Sequence, residues 1–507
     1  MPPKLDPEAG CLIPSPGDWP VSPQEDQPLR EDRLWIDGCF DFFHHGHTGV
    51  MLQSRRLGNE LLVGIHSDED IRANKGPTVM NLEERVAAVE ACRFSTGVVP
   101  HAPYVTSIPW IRHYGCQYVT HGDDITSDAS GNDCYRFVKK AGRMKIVPRT
   151  PGISTTDLVG RMLLCTKEHF IKSLVDTLDG REGKGSEAER LEHGQQMRTR
   201  IREYAAAPNG KDSFVEVYSF KPKHRPQERR RSSVRSVRSA RANSESSTDQ
   251  GSNAAPRVHD SGKGVFTSLV PGVPPRPGQR LVYVDGGFDL FSSGHIAFLQ
   301  TVTALEEEHG RQRGWFSESA KQQRIKDFGS DYGPAFVVAG LHDDEVINFH
   351  KGLNYPIMNC FERGLCVTQC AYVHGVVFSA PFIPSKTFLS TLPFLTSTTT
   401  FPHAVYHGPT SSMPSALDSD ADPYADAKAM GVFRETPRHR FQEVDAAQIV
   451  QRILDNRAGY EERQRKKGEK GVGEAAARRE ELAREERQRV ELKRQESMRE
   501  VERQFGA

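Results

Sequence analysis

The 507-residue chain predicts an α/β fold: two tandem domains, each a parallel sheet covered on both faces, joined by a disordered linker and followed by a charged helix. Three observations carry this expectation. Short apolar runs alternate with longer stretches of helical spacing, the signature of strand-helix-strand units. That alternation stops in a basic tract rich in Ser and Arg. Beyond the tract, the earlier motifs return in the same order.

Residues 1–30 are rich in proline and acidic groups and lack periodicity, which predicts a disordered leader. The first domain is placed at 31–170. Its strands are read at 34–37, 61–66, 98–100, 118–122 and 145–148, with helical spacing at 81–94 and 132–142 between them. Right-handed crossovers would align the carboxyl ends of these strands along one rim, where ligands bind. Residues 171–278 are read as an extension and linker. Its RRRSSVRS core offers Ser232 and Ser233 to basophilic kinases, although the composition favours a plain tether.

The second domain is placed at 279–458. VDGGFDLFSSGH (284–295) repeats IDGCFDFFHHGH (36–47), and GLHDDEVINFHKG (340–352) repeats GIHSDEDIRANKG (64–76). Three shorter matches follow in the same order, so a domain has been duplicated at a period of about 250 residues. Extra polar length near 305–334 reads as a surface loop. In the final segment, 459–507, apolar residues follow no heptad, which predicts a solvated helix laced with charge pairs.

Composition narrows the function classes. Sixty-seven basic residues balance sixty-seven acidic ones, so nucleic acid is not an expected partner. No apolar run approaches the roughly 20 residues of a membrane-spanning helix, and the start lacks the order of a secretory signal. Nine cysteines without a CxxC pair read as reduced thiols, and the expected location is the cytoplasm.

Four motifs can carry chemistry. In the first, a strand ends at Asp37, Gly38 permits a turn, and His44-x-Gly46-His47 opens a helix with both imidazoles on one face. Free N–H groups and the helix dipole suit phosphate there, and Gly46 lets it approach the backbone. Two surface histidines would be the plain alternative. The second motif, Arg149-Thr-Pro-Gly-Ile-Ser-Thr-Thr-Asp157, follows the fifth strand. Ser154, Thr155 and Thr156 can cap a helix, Gly152 allows the turn, and Arg149 offers a planar cationic fork. The third is Asn74-Lys75-Gly76-Pro77, read as a flexible loop whose lysine can clamp phosphate. The fourth, His121-Gly122-Asp123-Asp124, ends the fourth strand, and its carboxylates either face a substrate ammonium or cap the next turn.

Together, H-x-G-H, K-G-x-x-x-M-x-x-x-E-R, H-G-D-D and R-T-x-G-I-S-T-T resemble the cytidylyltransferase family, within the H-x-G-H nucleotidyltransferases. The likeness spans 33–166 and, more weakly, 280–458. Tandem duplication with a long linker is similar to the members that act on phosphoethanolamine. The resemblance implies Rossmann-like domains and a reaction of CTP with phosphoethanolamine, giving CDP-ethanolamine and pyrophosphate in phosphatidylethanolamine synthesis. It implies that His44, His47, Lys75 and Arg149 are catalytic. It further implies that Gly38, Cys39, Phe40 and Gly46 bind nucleotide, together with Gly152, Ile153, Ser154, Thr155 and Thr156, while His121, Gly122, Asp123 and Asp124 face the acceptor. Mg2+ would be carried by CTP, with no dedicated protein ligands. Peripheral association with the endoplasmic reticulum and a dimer stay open. His45 and Pro151 depart from the family pattern.

The second copy has decayed. Ser292 stands where His44 does, and RFQEVDAAQI (440–449) replaces RTPGISTTDL, leaving His295, Lys351 and Arg440. Cys360, Cys366, Cys370 and His374 have the look of zinc ligands, but repeat matching places Cys366 and Cys370 inside a helix facing the sheet. Rival readings are transfer to phosphocholine or glycerol phosphate, adenylyl transfer, and a non-catalytic scaffold. The adenylyl reading does not account for the second motif.

Overall fold

In the computed structural model, residues 3–223, 262–409 and 422–463 are described, with residues 465, 466, 468 and 487. The first sheet contains β1 (Arg30–Gly38), β2 (Glu60–Ile65), β3 (Gly97–Pro100), β4 (Cys116–Gly122) and β5 (Met144–Val147). All pair in parallel, in the order β3-β2-β1-β4-β5. The central strand β1 buries Leu34, Trp35 and Ile36 in succession, as a strand covered on both faces must. The order reverses between β1 and β4, which opens a crevice at their carboxyl ends. Around the sheet run α1 (His45–Leu57), α2 (Asp68–Lys75), α3 (Leu82–Glu90), α4 (Ile108–His113), α5 (Arg136–Lys140) and α6 (Thr155–Leu164). A longer helix, α7 (Glu187–Tyr204), follows.

The second sheet holds β6 (Glu216–Pro222), β7 (Gly264–Val270), β8 (Arg280–Gly286), β9 (Ala335–Leu341), β10 (Gly375–Phe378), β11 (Ala404–His407) and β12 (Phe433–Glu435). Its order is β12-β11-β8-β9-β10-β6-β7, parallel except for the β6-β7 pair. Five of these strands repeat the first sheet's order. The associated helices are α8 (Ser293–Gln312), α9 (Glu318–Phe328), α10 (Asp344–Lys351), α11 (Cys360–Thr368) and α12 (Ala446–Asp455).

Three expectations are corrected. The leader is ordered from residue 3: Trp19 stacks on His113 with ring centroids 3.5 Å apart, and Trp110 donates its indole N–H to Leu12 at 3.0 Å. Its apolar residues follow no period because they fill a groove set by α4 rather than a face of their own. Residues 264–270, assigned to the linker, form β7, since pairing with β6 satisfies a backbone that composition alone left unpaired. The polar insertion is helical rather than a loop. Ser317 caps α9, and Gly329, at φ 77°, ends it. Ser232, Ser233 and nearly all of 464–507 lie outside the described residues.

The two domains meet through equivalent surfaces. Arg161 of α6 makes a two-pronged ion pair with Glu362 of α11, at 2.7 and 2.9 Å, and donates to the Ile357 carbonyl. Its counterpart Arg452 of α12 does the same with Glu84 of α3, at 2.7 and 2.8 Å, and with Val79. His169 bonds the Pro356 carbonyl as Tyr460 bonds that of Thr78. Cys92 bridges antiparallel to Cys370, its own repeat equivalent. This is the isologous pattern of a two-fold dimer, realised within one chain. Residues of both sheets share one apolar core. Cys366 and Cys370 are buried at this seam, with burial raising the Cys370 thiol to about 11.

Arg93 departs from the symmetry. Its buried guanidinium donates to the carbonyls of Thr368, Cys370 and Val373 at 2.7–2.8 Å. Arg93→Ala is expected to destabilise the fold by at least about 2 kcal/mol, read as a lower denaturant midpoint, because the Thr368 and Val373 carbonyls lose this donor at about 1–3 kcal/mol each while that of Cys370 keeps the Val373 N–H. The exposed Arg181→Ala serves as a control that leaves the midpoint in place. An unmoved midpoint in Arg93→Ala would contradict this account.

Candidate active site

β1 runs into a strained turn. Phe40 (φ 53°) and Phe42 (φ 47°) occupy the left-handed region, which non-glycine residues enter only when their surroundings hold them. The holding groups are visible: Phe40, Phe42 and Phe43 are buried, and the Asp41 carboxylate accepts from Val79 N–H at 3.1 Å and Met80 N–H at 3.0 Å. The second copy keeps the strain at Phe288, Leu290 and Phe291.

α1 is capped by imidazoles. His44 Nδ1 accepts from Gly46 N–H at 3.0 Å, and His47 Nδ1 accepts from His44 N–H at 3.4 Å. The rings stack with centroids 4.0 Å apart. A neutral imidazole that accepts at Nδ1 carries its proton at Nε2, so both rings present N–H donors. His45 turns into the core beneath Tyr204, whose hydroxyl donates to the His45 carbonyl. Burial drives the His45 pKa down to about 3, which makes it a neutral packing residue. Gly46 has a packing reason as well as the expected one: a Cβ there would lie 2.8 Å from the His44 ring and 3.0 Å from Ile153.

Ile153 belongs to the second cradle. Gly152 (φ 89°) turns the chain, Ser154 caps α6 by accepting from Asp157 N–H at 3.0 Å, and Thr155 donates to the Asp41 carbonyl at 3.3 Å. The two helix starts are therefore tied together directly. Arg149, exposed after β5, donates its N–H to Asp123 at 3.3 Å, and its guanidinium lies 4.0 Å from Asp124. Next to them, Gly122 is buried and His121 sits 4.5 Å from the Tyr135 ring. Lys75 corrects its expectation. Rather than in a flexible loop it ends α2, because Ser67 caps that helix and Gly76 (φ 97°) closes it. Its ammonium stands 5.8 Å from the Tyr104 ring centroid. Lys75 thus comes from the β2 side of the rim and Arg149 from the β5 side, with the histidines between them in strand order.

Three supporting residues lie within the quoted motifs but were given no role there. Asp37 accepts from Trp35 Nε1 (2.9 Å), Thr106 (2.8 Å) and Tyr135 (2.8 Å). Asp41 holds the turn, as described. The buried Arg85 bonds the carbonyls of Met80, Cys39 and His66 and pairs with Asp68 at 2.7 Å, locking the loops after β1 and β2. Their signal lay in the repeats, where they recur as Asp285, Asp289 and Arg363.

In the second copy, His295 Nδ1 still accepts from Ser292 N–H at 3.1 Å, and burial lowers its pKa to about 4. The Ser292 hydroxyl, however, donates to the Val444 carbonyl. That carbonyl crowds Gly294, where a Cβ would lie 2.5 Å from it. Asp445 caps α12 where Ser154 caps α6, and Arg440 stacks over Phe441.

His45 generates a test. Its folded pKa lies below the usual 6.5, so between those values the unfolded chain binds the proton and stability rises with pH. In His45→Gln, the slope of stability against pH from 6 to 4.5 should fall by about 1.4 kcal/mol per pH unit. Denaturant titrations across that range would show an unchanged slope if His45 charges freely in the native state.

Comparison with known proteins bears on the family. The family model described as cytidylyltransferase-like matches residues 35–161. An ethanolamine-phosphate cytidylyltransferase of Mus musculus is 35% identical over 437 residues, covering 86% of this chain and 89% of that protein. The ethanolamine-phosphate cytidylyltransferase of Saccharomyces cerevisiae reaches 53% over 139 residues, 27% of this chain and 43% of that one. Choline-phosphate cytidylyltransferase A of Homo sapiens is 38% identical over 136 residues, 26% of this chain and 37% of the relative. Similarity that extends through both sheets, with the strand order repeated in each, has one reading: this chain belongs to the ethanolamine-phosphate cytidylyltransferase family.

Proposed function

We propose that the protein transfers the cytidylyl group of CTP to phosphoethanolamine, releasing pyrophosphate and CDP-ethanolamine, in its first domain. The observation that carries this is the imidazole-capped start of α1, tied through Thr155 to the start of α6. Two stacked imidazoles, each with its proton on Nε2, and two helix N-termini lie together there, a setting for a polyphosphate whose negative charge shifts during reaction.

A phosphate oxygen of the acceptor attacks the α-phosphorus of CTP in line, the bond to the β-phosphate oxygen breaks, and pyrophosphate leaves. His44 and His47 donate to the phosphate oxygens, and Lys75 and Arg149 offset charge from opposite sides of the rim. Asp123 and Asp124, already beside Arg149, are assigned to the ammonium. Mg2+ would be carried by the phosphates of CTP, without dedicated protein ligands, and would offset part of their charge. The chain's own contribution is positioning and electrostatics, without a covalent intermediate. The proposed location is the cytoplasm, peripheral to the endoplasmic reticulum. Among the described residues no helix is long and apolar enough to cross a membrane.

Pyrophosphate release from CTP should show its highest kcat/KM with phosphoethanolamine, and a preference for phosphocholine or glycerol phosphate would overturn the assignment. A CTP chiral at an α-thiophosphate should give inversion, whereas retention would reveal a covalent step. His47→Ala should cost about 10²–10³-fold in kcat, the loss of one donor to developing charge. His295→Ala should leave most of the activity, and equal losses would move the chemistry out of the first domain.

A further inference from the structure

Three successive carbonyls of the loop after Lys75 are held by side chains of the second domain. Arg463 donates to that of Pro77, the Tyr460 hydroxyl to that of Thr78 at 2.9 Å, and Arg452 to that of Val79 at 3.1 Å. Arg452 belongs to α12, while Tyr460 and Arg463 belong to the segment that follows it. The Arg463 stem also covers Gly76, where a Cβ would meet its Cβ at 3.4 Å and its Cγ at 3.5 Å. Gly76, at φ 97°, is the joint between the lysine end of α2 and this loop. Lys75 itself is exposed, and 5.8 Å from the Tyr104 ring centroid is the outer reach of a cation–π contact. The backbone on either side therefore does most to fix where its ammonium stands. Arg463 reaches one group further, pairing with Asp41 at 3.2 Å. That carboxylate is 1% exposed and otherwise accepts from the Val79 and Met80 N–H groups of the same loop. Removing the arginine leaves a buried charge with neutral donors alone.

The reverse contact, from the first domain onto the second, stops short of this. Arg161 and His169 hold the Ile357 and Pro356 carbonyls, as Arg452 and Tyr460 hold those of Val79 and Thr78. Three residues after His169, however, stands Lys172, where Arg463 stands three after Tyr460. Among the described residues no bond joins Lys172 to Asp289, the equivalent of Asp41. The loop there is closed from within its own domain, by Asn348 Nδ2 donating to the carbonyls of Gly352, Leu353 and Tyr355 at 3.2, 3.0 and 2.7 Å. The contacts shared by both copies serve assembly. The one made by Arg463 occurs only beside the site to which chemistry is assigned. We infer that Arg463, supported by Tyr460, is a positioning residue lent by the second domain to the reaction of the first: it fixes the loop at 76–79 and through it the place of Lys75. The contacts stand on geometry, whereas their catalytic consequence rests on the proposed function. The second copy, its own anion cradle lost, contributes to turnover through the other one.

Arg463→Met in the full chain tests this, because it removes the guanidinium and keeps most of the stem. Its kcat for pyrophosphate release should fall about tenfold, inside the 10²-fold that a misplaced group can cost. Arg463→Lys keeps a cation within reach of Asp41 and should recover at least about half of the parental kcat. Arg457→Met, an exposed change on the same segment, should stay within about twofold of the parent. In a Lys75→Ala background, Arg463→Met should cost less than about twofold more, since the side chain it positions is gone. Independently of turnover, amide exchange across 76–81 should quicken at least about tenfold in Arg463→Met, while the strands of the second sheet keep their parental rates. A parental kcat in Arg463→Met, full multiplication of the losses in the double variant, unchanged exchange in the loop, or faster exchange throughout the chain would each overturn the inference. A parent that releases no pyrophosphate with any acceptor, while the loop still responds to Arg463→Met, would instead overturn the proposed function and take only the catalytic consequence with it.

Discussion

The first turn of α1 is closed by two imidazole δ-nitrogens, and the chemistry of the site depends on which nitrogen does the capping. A helix start leaves backbone N–H groups without partners, and most chains satisfy one with a hydroxyl or carboxylate. Here His44 and His47 accept those bonds through Nδ1, so the remaining ring nitrogens become donors by elimination. The cap that stabilises the helix therefore also sets the tautomer. The second copy shows what happens otherwise: Ser292 spends its hydroxyl on a carbonyl, and only His295 repeats the arrangement.

The duplicated architecture is more than a remnant. Glu84 and Glu362 each serve twice, closing the capping box of their own helix and receiving an arginine from the other domain. Replacing either carboxylate would disturb a helix start and the seam together. The segment after α12 continues the contact onto the first domain, where Tyr460 bonds Thr78 and Arg463 pairs with Asp41 at 3.2 Å and bonds Pro77. Asp41 is the carboxylate that holds the strained turn before His44. The second domain thus buttresses the loop beside Lys75 in the first domain.

Much of this was legible. The five strands common to both sheets were readable because the central ones are buried on both faces and so appear as unbroken apolar runs, and because duplication printed each motif twice; β6 and β7 were not. The rim location of His44, Lys75, His121 and Arg149 followed from strand-helix alternation. The leader was not legible, since Trp19 and Leu12 dock into a groove built by residues some ninety positions away. The insertion at α9 was misread from polarity although Ser317 and Gly329 signalled a capped helix. Lys75 was misplaced because Gly76-Pro77 suggested a loop, when the glycine in fact ends a helix.

By itself the sequence determined the alternation of strands and helices, the duplication, and the residue types gathered after β1, β2, β4 and β5, because periodicity and punctuation are local properties of the chain. Only the tertiary structure decided that His44 and His47 cap through Nδ1, that His45 turns inward, and that Arg161 and Arg452 cross to the opposite domain. Each of these depends on which surfaces meet. Partners distant in sequence compete for the same polar atoms, and no local pattern records the outcome of that competition.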